Sequence, residues 1–303
     1  MNYRKLGDSG LMLSEFGFGC ACAWGKSFYK EEDAIRLFFD AVDQGINYFD
    51  TGHSYGLSEE RLGKCILEMG PEKRKDLIIS TKCGTRLDSK GKHYKDWSVD
   101  WLKQSVALSM ERMHIDYIDM LNLHSPSLKV ITDDVWHLLE DLKSQKVVRT
   151  VGASCMNAAD NKKAVTNSVF DFVMISYNLM MQQYEPVIQA LAQNGKGVIA
   201  GEALAKTLYS NDVFKVRNVT DLWYLLRAFA NNRHFLKRRK DFSFVNKVEN
   251  ATGNQVALRY VLENPNITSA VFGTTSKAHL LENIQAADID FPEELKQRIQ
   301  QCK

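Results

Sequence analysis

The feature that most restricts the fold of this chain is an alternation. Short apolar runs are followed, time after time, by segments whose apolar residues recur at helical spacing. Strands are expected at residues 16–20, 46–50, 77–82, 117–124, 147–153, 172–177, 197–201 and 268–273. After the first strand Ile35, Phe38, Phe39 and Val42 form a helical stripe that Gly45 ends, and helices follow at 59–68, 98–113, 133–144, 158–167, 184–193 and 254–262. On the 133–144 segment Val135, Leu138, Leu139 and Leu142 lie on one face. Such strand-then-helix units, with no second composition regime, favour a closed parallel α/β barrel over an open doubly wound sheet, which is the alternative.

The expected fold is therefore a single (β/α)8 TIM barrel spanning 1–303. It adds an N-terminal hairpin around Gly7 to Gly10 and two helices, 277–287 and 292–301, beyond the last strand. Between the seventh strand and its helix lie residues 205–249, longer than an ordinary connection. Trp223, Leu226, Phe229 and Ala230 have helical spacing, so this insertion is expected to hold an amphipathic helix and to act as a lid or substrate wall. Its basic run Lys237, Arg238, Arg239, Lys240 reads as a solvated helix end, with an anion clamp for phosphorylated or nucleotide-linked sugars as the alternative.

Composition narrows the function classes. With 45% hydrophobic and 25% charged residues and a formal charge of +2, the 303-residue chain can bury a large core and carries no global field toward nucleic acid or acidic membranes. No apolar run reaches the roughly 18 residues of a membrane span, and a cytoplasmic protein is expected. The six cysteines lack paired CxxC spacing, which fits reduced thiols rather than a zinc site. Cys20 and Cys22 are expected on one face of the first strand as small buried hydrophobes.

The chemistry gathers where strands end. Asp50 closes the second strand, Tyr55 sits in the turn after it, Lys82 closes the third and His124 the fourth, so parallel strands deliver all four to one rim. A tyrosine can give a proton to a developing alkoxide if its pKa falls from about 10 toward neutrality. A lysine beside the phenol favours phenolate, and a buried carboxylate keeps that lysine charged and aimed. A neutral histidine can offer a ring N–H to the same oxygen.

The strings FDTGHSYG, STKCG and DMLNLHSP that carry these residues resemble the aldo-keto reductase family, and the similarity runs from the N-terminal hairpin to HLLEN near the end. The resemblance implies a catalytic tetrad of Asp50, Tyr55, Lys82 and His124 and an NADPH cofactor, with NADH as the alternative, laid across the C-terminal rim. The implied activity is reduction of an aldehyde or ketone, with a sugar-type carbonyl as one substrate class. The alternative is a nucleotide-binding regulatory or partner-binding subunit of the same fold.

The cofactor residues implied by the resemblance begin with Gly19, Cys20, Ser154 and Tyr177. Where the family clamps the nicotinamide carboxamide with Ser-Asn and Gln and stacks an aromatic ring on it, this chain has Ser154, Cys155, Met174 and Gly201. The pyrophosphate would pass Leu204 and Lys206, and the segment VFGTTSKAHLLEN would hold the adenosine end with Gly273, Thr274, Thr275, Ser276, His279, Glu282 and Asn283. Where the family often carries a lysine and an arginine against the 2′-phosphate, this chain has Gly273 and His279, which leaves His279 and Lys277 to serve there. Trp24 and His53 are expected in the substrate pocket.

Overall fold

The computed structural model describes residues 1–155, 157–205, 216, 222, 225, 226, 229 and 238–302. Eight strands form a closed parallel barrel in the order β3 (Phe16–Gly19), β4 (Tyr48–Asp50), β5 (Ile78–Cys83), β8 (Ile118–His124), β9 (Val148–Cys155), β10 (Phe172–Ser176), β11 (Gly197–Gly201) and β12 (Ser269–Phe272). The last pairs with the first through Ala270 opposite Phe16. Helices α1 (Glu31–Asp43), α2 (Ser58–Met69), α3 (Pro71–Arg74), α4 (Val99–Met113), α5 (Asp133–Ser144), α6 (Ala158–Thr166), α7 (Glu185–Gln193), α8 (Gly253–Leu262) and α9 (Lys277–Ile284) connect or flank them, and Glu293–Gln301 is a final helix. Every expected strand is present to within about two residues, because barrel strands buried on both faces leave near-continuous apolar runs in the sequence.

Period-two alternation divides the side chains into two cores. Phe49, Ile79 and Leu121 point outward to the helices, whereas Tyr48, Ile78, Met120, Phe172, Met174 and Ile199 fill the barrel interior. The hairpin of β1 (Tyr3–Lys5) and β2 (Met12–Ser14) plugs the lower mouth with Leu6, Leu11 and Leu13, all buried. Its turn fits only because residue 7 is glycine: at φ +51 a Cβ there would stand 2.2 Å from the Gly195 carbonyl oxygen. With the bottom sealed by hydrocarbon, the same inward positions turn polar toward the other mouth as Asp50, Ser80, Lys82, Asn122, His124 and Ser154.

Two expectations need correction, and one element is new. The first strand stops at Gly19, and Cys22 opens the 3-10 turn Cys22–Gly25, so Cys20 and Cys22 do not share a strand face. The helix expected at 277–287 ends at Ile284 and tightens into the 3-10 turn Gln285–Asp288. After β5 a second hairpin appears, β6 (Thr85–Leu87) with β7 (His93–Lys95). Its three-residue strands are too short to show alternation in a sequence. Within the insertion Leu226 and Phe229, two of the residues at helical spacing, are helical, as are Leu222 and Leu225. Trp223, Ala230, Lys206 and Lys237 lie outside the described residues.

Candidate active site

Parallel register places the four rim residues. Asp50 pairs with Ser80 across β4 and β5, and Lys82 pairs with Asn122 across β5 and β8, so Lys82 stands one inward layer above Asp50. Its ammonium reaches down to Asp50 Oδ2 at 2.5 Å and donates to the Thr51 carbonyl at 2.7 Å. It is also hydrogen-bonded to the Tyr55 side chain, with Nζ 5.0 Å from the ring centroid. The Tyr55 ring meets the His124 ring edge-on at 5.6 Å. The structure thus brings together all four residues expected from the sequence.

The electrostatics follow from burial and neighbours. Lys82 is 2% exposed, and desolvation pulls its pKa down. The Asp50 charge, the Tyr55 oxygen and the hydrogen bonds to both outweigh this, so the net shift is upward and the lysine stays cationic. His124 moves the other way: burial, then the Lys82, Lys95 and His93 charges, bring it down to about 3, so the imidazole is neutral at physiological pH. A buried cation against a phenol, beside a neutral imidazole, can stabilise negative charge on an oxygen placed between the rings.

The loop that carries Tyr55 is held from behind. Gly56 has φ +66, and a Cβ on Gly25 would fall 1.7 Å from the Tyr55 carbonyl oxygen, so two glycines let the β3 and β4 loops touch backbone to backbone. Arg61, buried in α2, donates to the carbonyls of Trp24 and Tyr29 and so ties down the β3 loop against which the Tyr55 turn rests.

Several contributors are invisible to motif reading. Ser80 donates to Asp50 Oδ1 at 3.2 Å and accepts from Asn122 Nδ2 at 3.0 Å. They precede Lys82 and His124 by two residues, so period-two reasoning along those strands is the signal that finds them. Thr85 and Lys95 on the unexpected hairpin contact His124, and no sequence signal marks them.

Other expected site residues stand elsewhere. Trp24 is 1% exposed and packs edge-on against Phe18 in the core, so its indole is a buried wall and not an open pocket lining. His53 faces α2 and α4: Nδ1 lies 3.4 Å from Ser109 Oγ and 3.3 Å from Arg112, and burial with the Arg112 charge lowers its pKa to about 4. Cys20 is buried, with its amide on the Asp50 carbonyl and its carbonyl taken by Ser58, so it presents no group to the rim. Tyr177 is buried as well, and its hydroxyl donates to Glu185 Oε1 at 2.8 Å. These aromatics and the thiol lost to the core because apolar surface at a barrel rim is drawn inward.

Residues 15–303 match the model of the Aldo/keto reductase family. The chain belongs to that family. Among its relatives, the uncharacterized oxidoreductase YqkF of Bacillus subtilis is 29% identical over 95% of this chain and 92% of its own. The L-galactose dehydrogenase of Arabidopsis thaliana is 29% identical over 93% and 87%. The solved holo form of the aldo-keto reductase AKR11C1 from Bacillus halodurans superposes with a TM-score of 0.80 at 27% identity, covering 100% of this chain and 96% of that one. The protein is accordingly an aldo-keto reductase, a nicotinamide-dependent oxidoreductase of small carbonyl compounds.

The aldo-keto reductase rim fits a dinucleotide. Ser276 gives no side-chain cap to α9, which leaves the first amides of that helix free of side-chain capping. Asn283 is buried with its Oδ1 lacking a partner among the described residues, an acceptor that an adenine amine would satisfy. Gly273 abuts the Gly19 carbonyl, where a Cβ would come to 2.9 Å, so the two strand ends close tightly below Thr274 and Thr275. Glu282 already accepts from Thr252 at 2.6 Å, and Lys277 is paired with Asp40 at 2.5 Å, whereas His279 is exposed. On the nicotinamide side Ser154 accepts from the Ser125 amide at 3.1 Å. Met174 lies over Gly201, 3.3 Å from where a Cβ there would stand, so the thioether fills space that a larger residue 201 would take. Leu204 packs, half-buried, against the outer core.

Proposed function

We propose that this enzyme reduces an aldehyde or ketone to an alcohol, with Tyr55 as the proton donor and residues 1–303 acting as one unit. The observation that carries the reading is Lys82, held between the Asp50 carboxylate at 2.5 Å and the Tyr55 side chain. Bound NAD(P)H would supply the hydride. Tyr55 gives its proton to the carbonyl oxygen as negative charge develops there. Lys82 stabilises the phenolate left behind, and Asp50 keeps the ammonium charged and oriented. Neutral His124 donates a ring N–H to the same oxygen and so orients the carbonyl.

The rim residues Ser154, Met174, Gly201 and 273–276, with His279, Glu282 and Asn283, would hold the cofactor. NADPH is the first choice and NADH the alternative, because Lys277 must leave Asp40 before it can meet a 2′-phosphate. The name of the L-galactose dehydrogenase relative supports a sugar-type carbonyl as substrate. Arg238, part of the basic run considered as an anion clamp, donates instead to the carbonyls of Met180 and Cys302.

The test is Tyr55→Phe, assayed by NAD(P)H oxidation over an aldehyde and ketosugar panel. Loss of about 10²–10⁴-fold in kcat, as for removal of a positioned acid, with unchanged nicotinamide-fluorescence binding is expected. Wild-type turnover in that variant overturns the assignment. In the same titration, NADPH binding tighter than NADH that weakens in His279→Ala supports the phosphate reading, and equal affinities refute it.

A further inference from the structure

We infer that Thr85 and Lys95 are positioning residues that hold His124 in the tautomer with its proton on Nε2. Thr85 and Lys95 are cross-strand partners in the β6–β7 hairpin, so their side chains leave the same face. The Lys95 ammonium donates to Thr85 Oγ1 at 2.8 Å and to the His124 carbonyl at 2.5 Å. Thr85 Oγ1 in turn lies 3.2 Å from His124 Nδ1. The hairpin therefore grips the histidine at its backbone and at one ring nitrogen.

Proton counting decides the direction of that last bond. An ammonium has only donors, so toward Lys95 the threonine oxygen can only accept. Its single hydroxyl proton is then left for His124 Nδ1, and among the described residues that hydroxyl has no other acceptor. A proton on Nδ1 would turn the contact round and strand the threonine hydrogen. Ser54 Oγ, at 3.5 Å, is a longer contact to Nδ1 and sits in a half-buried loop. With Nδ1 accepting, the ring keeps its N–H on Nε2. Gly84 lets the chain turn to this point: at φ +84 it admits the Trp97 ring to 1.9 Å from where a Cβ would be, which seats the hairpin base.

The catalytic consequence rests on the reading of His124 as a donor to the carbonyl oxygen. The tautomer itself does not. Proteins labelled with ¹⁵N-histidine, with the His124 signal assigned by its loss in His124→Gln, report the protonated nitrogen directly. The wild type is expected to show Nε2–H with an accepting Nδ1, and Thr85→Ser to keep that pattern. Thr85→Val and Lys95→Met are expected to build up an Nδ1–H population. They should also lower kcat roughly threefold to tenfold, the worth of one hydrogen bond, without weakening nicotinamide binding. Lys95 is exposed, so its methionine variant tests the chain of donors without opening the core. An Nδ1–H tautomer in the wild type overturns the inference, as does an unchanged Nε2–H signal in both Thr85→Val and Lys95→Met. Tautomer shifts with unaltered kcat would support the positioning and instead sink the role given to His124.

Discussion

Asp50→Asn should damage both stability and turnover, and a second substitution separates the two. The change keeps the shape of the side chain but leaves the Lys82 ammonium, 2% exposed, with only neutral acceptors such as the Thr51 carbonyl at 2.7 Å. Removing one member of a buried ion pair costs about 3–5 kcal/mol. An independent ceiling comes from the escape route: deprotonating a lysine of pKa about 10.4 at pH 7 costs about 3.4 units at about 1.36 kcal/mol each, or ~4.6 kcal/mol. The two figures agree, and either is a large share of the about 5–15 kcal/mol that holds a protein folded. Because the folded pKa of Lys82 is raised, this stabilisation is complete below the unfolded value and is lost as pH rises through the folded one. At pH 7 it is fully present. In Asp50→Asn/Lys82→Met no charge is left to strand, so the double variant should regain at least about 2 kcal/mol over the single one while remaining as inactive. Urea unfolding midpoints at a common m-value, paired with carbonyl turnover, measure both effects. A single variant less than about 1 kcal/mol below wild type, or a double variant no more stable than the single, would refute the reasoning.

The remaining expectations concern the loops and the histidines. Gly25→Ala puts a Cβ into the Tyr55 carbonyl oxygen, so the turn must move: a loss of about 1–3 kcal/mol, with kcat falling more than cofactor affinity, is expected. Wild-type kcat would show that the turn does not set the tyrosine. Arg61→Met strips the buried carbonyls of Trp24 and Tyr29 of a donor and should cost about 1–3 kcal/mol for each one left unsatisfied; an unchanged urea midpoint would argue that water takes over. His124 and His53 titrate near 3 and 4 in the folded protein against about 6.5 unfolded. Below that value the unfolded chain takes up protons that the native state refuses, so stability should fall as pH drops from about 6.5 toward 4, by at most about 1.4 kcal/mol per unit for each histidine. His53→Asn/His124→Gln should flatten that slope, and an unchanged slope would point to other groups.

Much of this enzyme was legible in its sequence for a simple reason. Strands buried on both sides and helices buried on one leave different periods, and strand ends in a parallel barrel all face the same rim. The alternation therefore determined the fold class, and Asp50, Tyr55, Lys82 and His124 could be assigned to one mouth before any contact was known. Their chemistry follows from residue type, which a sequence states outright.

Tertiary structure decided what depends on competition for burial and on approach between distant segments. Trp24, Cys20 and Tyr177 look equally suited to a rim and to a core, and only packing shows that the core took them. The β6–β7 hairpin carries too few residues per strand to leave a period, so Thr85 and Lys95 reach His124 without any trace in the linear pattern. The raised pKa of Lys82 and the lowered one of His124 are likewise properties of assembled neighbours, set by which charges share a dry space. Residue identity determined which groups could do the chemistry. The fold determined their protonation states and which groups stand behind them, because desolvation and hydrogen bonds exist only once the chain has closed.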